Sequence, residues 1–139
     1  MMRCQIDHIG VAVAGLDQAL SFYRDVLGLE VEPAETIATQ QVRAQFVRCA
    51  GAAGGGGASI ELIEATADDS PVGRFVARRG AGLHHLALAV PDIVAALAML
   101  KARGVRLIDE TPRPGAHGAL VAFVHPSSTN GVLLELKQA

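Results

Sequence analysis

Hydrophobic and polar positions along the chain repeat one pattern twice. The first copy begins with residues 6–13 (IDHIGVAV), which read as a strand, and continues after a short turn into LDQALSFYRDVLG. Apolar residues in that second stretch recur every three or four positions, as on one face of a helix. They are Leu16, Ala19, Leu20, Tyr23 and Leu27. Gly28 stands where a C-terminal cap belongs, so the pattern predicts a strand, a turn and a helix that ends at Gly28.

The second copy follows the same order. Residues 83–90 (LHHLALAV) read as its strand, and Pro91 with Asp92 supplies the turn and the helix N-cap. The apolar stripe of the predicted helix consists of Ile93, Ala96, Leu97 and Leu100. Gly104 ends this helix as Gly28 ends the first.

Each predicted helix is followed by signals for three strands. These strands are residues 29–31, 42–49 and 59–64 in the first copy, and 105–108, 119–126 and 132–136 in the second. His8 and His85 are 77 residues apart, and Glu61 and Glu135 are 74 apart, which indicates an internal duplication. We therefore predict an α+β fold in which two βαβββ modules form a curved mixed sheet around a shared metal cleft.

A single domain over all 139 residues is expected, because a chain of this length supports one core rather than two independent ones. It divides into module 1 at about 4–66, a linker helix at about 70–80 and module 2 at about 82–138. The linker helix is predicted from Ser70 as N-cap, Pro71 at the first helical position and Gly80 just past the end. Its last turn holds Arg78 and Arg79, which could contact an anion.

Composition narrows the classes of partner. The chain is 50% hydrophobic and has 12 basic and 14 acidic side chains, a formal net charge of -2, with no basic block that could follow a phosphate backbone. Nucleic acid is therefore not expected as a partner. Because a strand begins at once and polar residues or glycine interrupt every apolar stretch, we expect no leader, no membrane span and a cytoplasmic protein. Cys4 and Cys49 lack a CxxC neighbour and are interpreted as small core residues.

Two histidines and two glutamates are the main candidates for chemistry. His8 and His85 lie in the first strand of each copy beside small residues, and Glu61 and Glu135 interrupt otherwise apolar last strands. An ionised carboxylate in such a place is costly unless it is paired or coordinated. If the copies pack about a twofold axis, the four side chains converge as an N2O2 site. Such a site suits Mn, Co, Ni, Fe or Zn and leaves open positions for substrate oxygens.

Other polar residues are weaker candidates. His84 faces away from the side of its strand that carries His85, so we interpret it as structural. His117 in the RPGAHGA loop and His125 before a proline could touch a substrate, but loop and turn roles fit them better. The glycine-rich run at 51–57 is followed by neither a GK[ST] motif nor a helix signal, and is interpreted as a hairpin connector rather than a phosphate-binding loop.

Several longer motifs are more specific than these patterns. They are IDHIGVAV with LDQALSFYRDVLGLEV, the DSP before the linker helix, GLHHLALAV, DETPRPGAHG and FVHPSSTNGVLLEL. Together they resemble the vicinal oxygen chelate superfamily and, within it, the methylmalonyl-CoA epimerase family, over nearly the whole chain. The resemblance implies a divalent metal ion held by His8, His85 and Glu135, with Glu61 as the fourth ligand where the family often has Gln.

The resemblance also implies a reaction. It is the metal-dependent epimerisation of an acyl-CoA substrate, methylmalonyl-CoA, at C2 by 1,1-proton transfer through a metal-stabilised enediolate. One departure concerns a catalytic Glu that some family members carry two residues after a strand valine, because this chain has Ala44 there. We hypothesise that Glu61 and Glu135 serve instead as the paired catalytic bases. A homodimer is expected for a protein with open sheet edges.

Two other functions compete with this one. A glyoxalase, or lactoylglutathione lyase, fits the same pair of glutamates and ranks second. A metal-free small-molecule binding or resistance protein on the same fold ranks third, since it has no need of four ligands. A dioxygenase ranks lower, because a facial triad needs only one carboxylate.

Overall fold

The structure of the protein is a computed structural model, which describes residues 2–49 and 57–139. These residues separate into two compact units. The first unit is His8–His84, and the second combines residues 2–7 with His85–Ala139. The predicted glycine-rich connector lies outside the described residues except for Gly57.

The first unit contains the order of elements predicted for module 1, with the linker helix at its end. Its elements are β1 (Gln5–Ala12, which belongs to this unit from His8), α1 (Leu16–Tyr23), β2 (Glu30–Val31), β3 (Glu35–Ile37), β4 (Val42–Arg48), β5 (Ser59–Ala65) and α2 (Pro71–Arg79). Strand β5 pairs in parallel with β1 and antiparallel with β4, and β4 also pairs antiparallel with β2 and β3. The first predicted βαβββ module is therefore confirmed, with one extra short strand.

Helix α1 covers one side of this sheet but is shorter than predicted. Leu16 and Leu20 are buried in a core with Val47 and Leu62, as the apolar stripe predicts. The helix ends at Tyr23 because the following turn widens: the amides of Asp25 and Leu27 donate to carbonyls five residues back. Widening rotates Leu27 off the buried face, and it is 50% exposed, so its assignment to the core stripe was wrong. Gly28 nevertheless closes the turn with a φ of 71°.

The second unit repeats this arrangement. Its elements are β6 (Gly82–Val90, which belongs to this unit from His85), α3 (Ile93–Ala102), β7 (Arg113–Pro114), β8 (Leu120–Val124) and β9 (Leu134–Gln138). Strand β9 pairs in parallel with β6 and antiparallel with β8, and β8 pairs antiparallel with β7. Helix α3 packs on the sheet through Ile93, Ala96 and Leu97, as predicted. The predicted order of strand, helix and three strands is confirmed, although the first of the three strands is formed by other residues than predicted.

One predicted strand is absent from this unit. Residues 105–108 make only an isolated bridge, between Leu107 and Val124. The amides of Ile108 and Asp109 both donate to the carbonyl of Phe123, so two consecutive donors use one acceptor and no regular ladder can continue. Strand β7 pairs with β8 at Leu120 and Val121, whereas Leu107 lies beside Val124, so β7 is an additional short strand and does not replace residues 105–108.

The predicted N-caps of α2 and α3 are confirmed. Ser70 caps α2 by accepting from the amide of Gly73 at 3.0 Å, and Asp92 caps α3 by accepting from Ala95 at 3.0 Å. The interpretation of the cysteines was wrong, because Cys4 and Cys49 are both exposed. Each stands just outside a strand, where no apolar face covers it.

None of the helices in the described part of the chain combines the length and the apolar character that crossing a membrane requires.

Candidate metal and catalytic centre

The first unit buries an imidazole beside a carboxylate. His8 on β1 and Glu61 on β5 are each 3% exposed, and Nε2 of His8 lies 3.6 Å from Oε1 of Glu61. The parallel register places Gly10 beside Glu61, and His8, Gly10 and Ala12 are all buried on one face of β1. The small residues next to His8 thus leave room for the glutamate, as the alternation of the strand predicts.

The second unit contains an equivalent pair. Nε2 of His85 on β6 lies 3.3 Å from Oε2 of Glu135 on β9, and these residues are 6% and 4% exposed. Ala87 stands beside Glu135 in the parallel register, where the first unit has Gly10. Both predicted His/Glu pairs therefore form, one within each unit.

A phenylalanine completes each pair. Phe46 on β4 stands opposite Glu61, and its ring meets the His8 ring edge to face, with centroids 5.4 Å apart. In the second unit Phe123 on β8 stands opposite Glu135 and meets the His85 ring at 5.8 Å, again edge to face. The interplanar angles are 88° and 87°. Packing against a ring fixes the tilt of each imidazole without using either ring nitrogen.

Sequence reasoning missed these two rings. Phe46 and Phe123 are 77 residues apart, the same offset as His8 and His85, so the repeat itself contained the signal. The signal was not decisive because a buried phenylalanine in an apolar strand is first interpreted as core. Cross-strand register then shows which core residue faces a glutamate.

The chemistry of each pair fits a cation. A neutral imidazole nitrogen and a carboxylate oxygen are both lone-pair donors, and at 3.3–3.6 Å they face one another in a buried place. Either a proton on the imidazole or a metal ion compensates such a buried carboxylate. Imidazole and carboxylate together are the usual ligands of Zn, Fe, Mn, Co and Ni. The side chains of each pair therefore suit the predicted divalent ion.

The strands that carry the glutamates also cap the helices behind them. Glu64 follows Glu61 by three residues, and its carboxylate accepts from the first amide of α1, that of Leu16, at 3.4 Å. Gln138 follows Glu135 by the same three residues and accepts from the first amide of α3, that of Ile93, at 2.9 Å. An odd spacing on a strand sends the two side chains to opposite faces. Each last strand is thus fixed to the helix of its own unit.

The structure also gives contacts for the weaker candidates. The ring of His84 packs edge to face on the ring of Phe75 in α2, with centroids 4.9 Å apart, and the guanidinium of Arg79 lies 5.6 Å from the centroid of the same Phe75 ring. These contacts support the structural interpretation of His84. His125 accepts from the amide of Ser127 at 3.0 Å and so caps a short turn. His117 occupies a left-handed position with a φ of 58° in the loop after β7. Ala44 is 1% exposed, in the same buried face of β4 as Phe46.

The comparisons with known proteins agree with this geometry. Residues 7–123 match the profile of the Glyoxalase/Bleomycin resistance protein/Dioxygenase superfamily. The chain is 42% identical over 132 residues to an uncharacterized protein, YqjC, of Bacillus subtilis, covering 95% of this chain and 90% of that protein. It is 38% identical over 136 residues to the mitochondrial methylmalonyl-CoA epimerase of Mus musculus, covering 97% of this chain and 73% of the mouse protein.

A solved structure is similar over the whole chain. It is a methylmalonyl-CoA epimerase in complex with methylmalonyl-CoA and an ammonium ion, and it superposes with a TM-score of 0.91 at 37% identity. The match covers 100% of this chain and 96% of that one.

Proposed function

Because this chain belongs to the Glyoxalase/Bleomycin resistance protein/Dioxygenase superfamily and, within it, to the methylmalonyl-CoA epimerase family, we propose that it epimerises methylmalonyl-CoA at C2. The observation that carries the proposal is the duplicated set of buried His, Glu and Phe, one set in each unit. A protein that needed only a stable core would have little reason to bury two carboxylates, each at a cost that an apolar residue avoids.

The two sets are proposed to hold one divalent ion together. His8, Glu61, His85 and Glu135 are its ligands, and Co, Mn, Ni, Zn and Fe are the ions that this donor set suits. When bound, the ion supplies Lewis acidity that lowers the barrier to removing a proton from carbon.

The glutamates are proposed to move the proton. Epimerisation requires that the C2 proton leave one face of the carbon and that a proton return to the other, which two carboxylates on opposite sides can do. Oε1 of Glu61 and Oε2 of Glu135 are the oxygens that lie nearest their histidines, and the carboxylates carrying them accept and return the proton. Ala44 has no group that accepts a proton, so it contributes only volume.

Deuterium exchange tests this proposal directly. Protein treated with a chelator and reloaded with each of the five ions is mixed with one C2 epimer of methylmalonyl-CoA in D2O, and deuterium at C2 is followed by mass spectrometry. We expect exchange with at least one ion and loss of exchange in the chelated protein. Absence of C2 exchange with every ion would contradict the proposed function.

The matched control uses the same strand. Glu64→Gln alters a carboxylate three residues from Glu61 that faces α1, and it should keep exchange near the wild-type rate. Glu61→Gln should lose it. Equal behaviour of the two variants would remove Glu61 from the mechanism.

A glyoxalase is the second candidate, and the buried Glu61 is the observation that favours it. Turnover of the methylglyoxal–glutathione adduct, measured beside methylmalonyl-CoA exchange with the same ions, separates the two reactions. A metal-free binding protein would retain no ion through purification and would be indifferent to the chelator. The predicted homodimer is checked on the same samples by light scattering.

A further inference from the structure

A cavity of about 410 Å³ lies in the second unit. It is bordered by residues 2 and 3, by the end of β6 and by one face of α3, and we call it the α3 cavity. Helix α3 packs on the face of the sheet to which Leu136 points, whereas Glu135, one residue earlier on β9, points to the other face. The α3 cavity is therefore separate from the His85/Glu135 pair.

The lining of the α3 cavity is mostly apolar. Val90 and Ala96 are 1% and 8% exposed and belong to the core of the second unit, and Met2 packs against that core. Ala95 and Met99 line the cavity from α3. Methionine side chains are flexible and adapt to irregular shapes, so this lining can follow the outline of a bound molecule. A concave apolar place of this size suits the hydrocarbon part of a small organic ligand.

Two arginines border the same cavity. Arg3 precedes β1 and Arg103 follows the last residue of α3, and both are exposed. Within residues 2–49 and 57–139, neither guanidinium makes a hydrogen bond or an ion pair. Among the described residues that line the cavity, Asp92 supplies the only side-chain carboxylate, and it already accepts from the amide of Ala95 at 3.0 Å. An anion that enters the α3 cavity therefore meets two cations without a competing partner.

The first unit has neither the small residues nor the cation at the equivalent positions. The offset of 77 residues that relates the two histidines pairs one row of α3 with one row of the first unit, Ala95 with Gln18, Met99 with Phe22 and Arg103 with Val26. Phe22 and Val26 are 50% and 70% exposed. The repeated fold thus does not require alanine and arginine in this row, and the α3 cavity belongs to the divergence of the second unit.

We propose that the α3 cavity binds an amphipathic carboxylate, a molecule with one carboxylate on an unbranched aliphatic chain. Arg3 and Arg103 attract the carboxylate, because the guanidinium fork matches its two oxygens, and the chain covers the apolar lining. Each methylene that leaves water contributes to binding. A nucleotide fits less well, because apart from Arg3, Asp92 and Arg103 the lining side chains are apolar and offer a base no hydrogen-bonding partner.

Octanoate, kept below its micelle concentration, is the probe for this site. It is titrated calorimetrically into the full chain, and so are 1-octanol, which lacks the charge, and acetate, which lacks the chain. We expect octanoate to bind at least about 10-fold more tightly than either, because 1-octanol loses a charged hydrogen bond and acetate loses several buried methylenes. Equal binding of octanoate and 1-octanol would overturn the proposal, and so would equal binding of octanoate and acetate.

Three variants locate the bound octanoate. Arg3→Gln and Arg103→Gln should each weaken octanoate by about threefold to tenfold and change 1-octanol by less than about twofold. Ala95→Leu keeps both charges but fills part of the cavity, so it should weaken octanoate and 1-octanol by the same factor. Arg106→Gln removes an exposed arginine of the same unit that does not line the cavity, and is the matched control. If one arginine variant does not fold, as judged by its thermal melt, the other decides.

Cys4 provides an independent readout of the same site. It follows Arg3 in the chain and borders a second cavity, of about 230 Å³, that Arg3 also lines. Cys49, which is exposed in the first unit, is the internal reference. Alkylation by iodoacetamide, followed by mass spectrometry of the peptides, should be slowed by octanoate at Cys4 and not at Cys49. An unchanged ratio of the two rates would overturn the proposal, as would unchanged octanoate binding in Arg3→Gln and Arg103→Gln.

Discussion

The two units share a framework and differ around it. In both, a histidine on the first strand faces a glutamate on the last strand, and a phenylalanine on the neighbouring strand packs against the imidazole. In both, the residue three positions after the glutamate caps the helix of the same unit. What differs is the length of the helix and its N-cap residue, which is Gly15 without a side-chain cap in the first unit and Asp92 with one in the second. The duplicated part is thus the set of polar residues on which the proposed function rests.

The largest expected effect comes from removing one glutamate of the framework. Glu61→Gln and Glu135→Gln should each lower the rate of C2 exchange by about 100-fold to 10,000-fold, the range for loss of a general acid–base group. Equal losses would support a symmetric role for the two carboxylates. A loss confined to Glu135→Gln would break the comparison and assign proton transfer to the second unit.

The next largest effect, on the free energy of unfolding, compares a buried leucine of α3 with an exposed leucine that follows α1. Leu97 of α3 is 3% exposed, whereas Leu27, after the end of α1, is 50% exposed. We expect Leu97→Ala to lower the free energy of unfolding by about 2–5 kcal/mol and Leu27→Ala to change it by less than about 0.5 kcal/mol. Urea unfolding followed by circular dichroism measures both. A large cost for Leu27→Ala would mean that α1 packs through a longer face than the structure shows.

The third prediction concerns the caps supplied by the last strands. Gln138→Ala should destabilise by about 1 kcal/mol, because it removes the acceptor for the Ile93 amide. Glu64→Ala removes a longer hydrogen bond, to the amide of Leu16, and also removes a negative charge from a helix N-terminus. Raising the salt concentration should reduce the loss of unfolding free energy in Glu64→Ala but not in Gln138→Ala. An equal effect of salt on the two variants would refute the charge contribution.

The smallest effect is expected at the cysteines, one beside the first strand of the chain and one after β4. Cys4 and Cys49 are exposed, so a thiol reagent such as dithionitrobenzoate should modify both in the folded protein. Cys4→Ser and Cys49→Ser should leave the unfolding free energy within about 0.5 kcal/mol of wild type. A thiol that reacts only after unfolding would restore the prediction that it is a core residue.

The sequence by itself determined the repeat, the apolar stripes of the helices and the alternation that buries His8 and His85. These properties depend on neighbours along the chain, where a helix or strand period and a capping residue can be counted directly. The identity of the His/Glu pairs followed from the same repeat, since a carboxylate in an apolar strand is conspicuous wherever it occurs. The prediction that Leu27 is buried was wrong because a single widened turn after α1 shifts the helical period.

Only the tertiary structure decided which residues stand opposite one another. Phe46 and Phe123 came to pack against the histidines through strand register, and Glu64 and Gln138 became caps through the packing of a strand on a helix. Arg113 came to lie over Phe123 because β7 pairs with β8. Register depends on the combined packing of many side chains distant in sequence, and shifting a strand by one residue moves every side chain to the other face. Local periodicity therefore specified the framework of the site, and long-range pairing selected the residues that surround it.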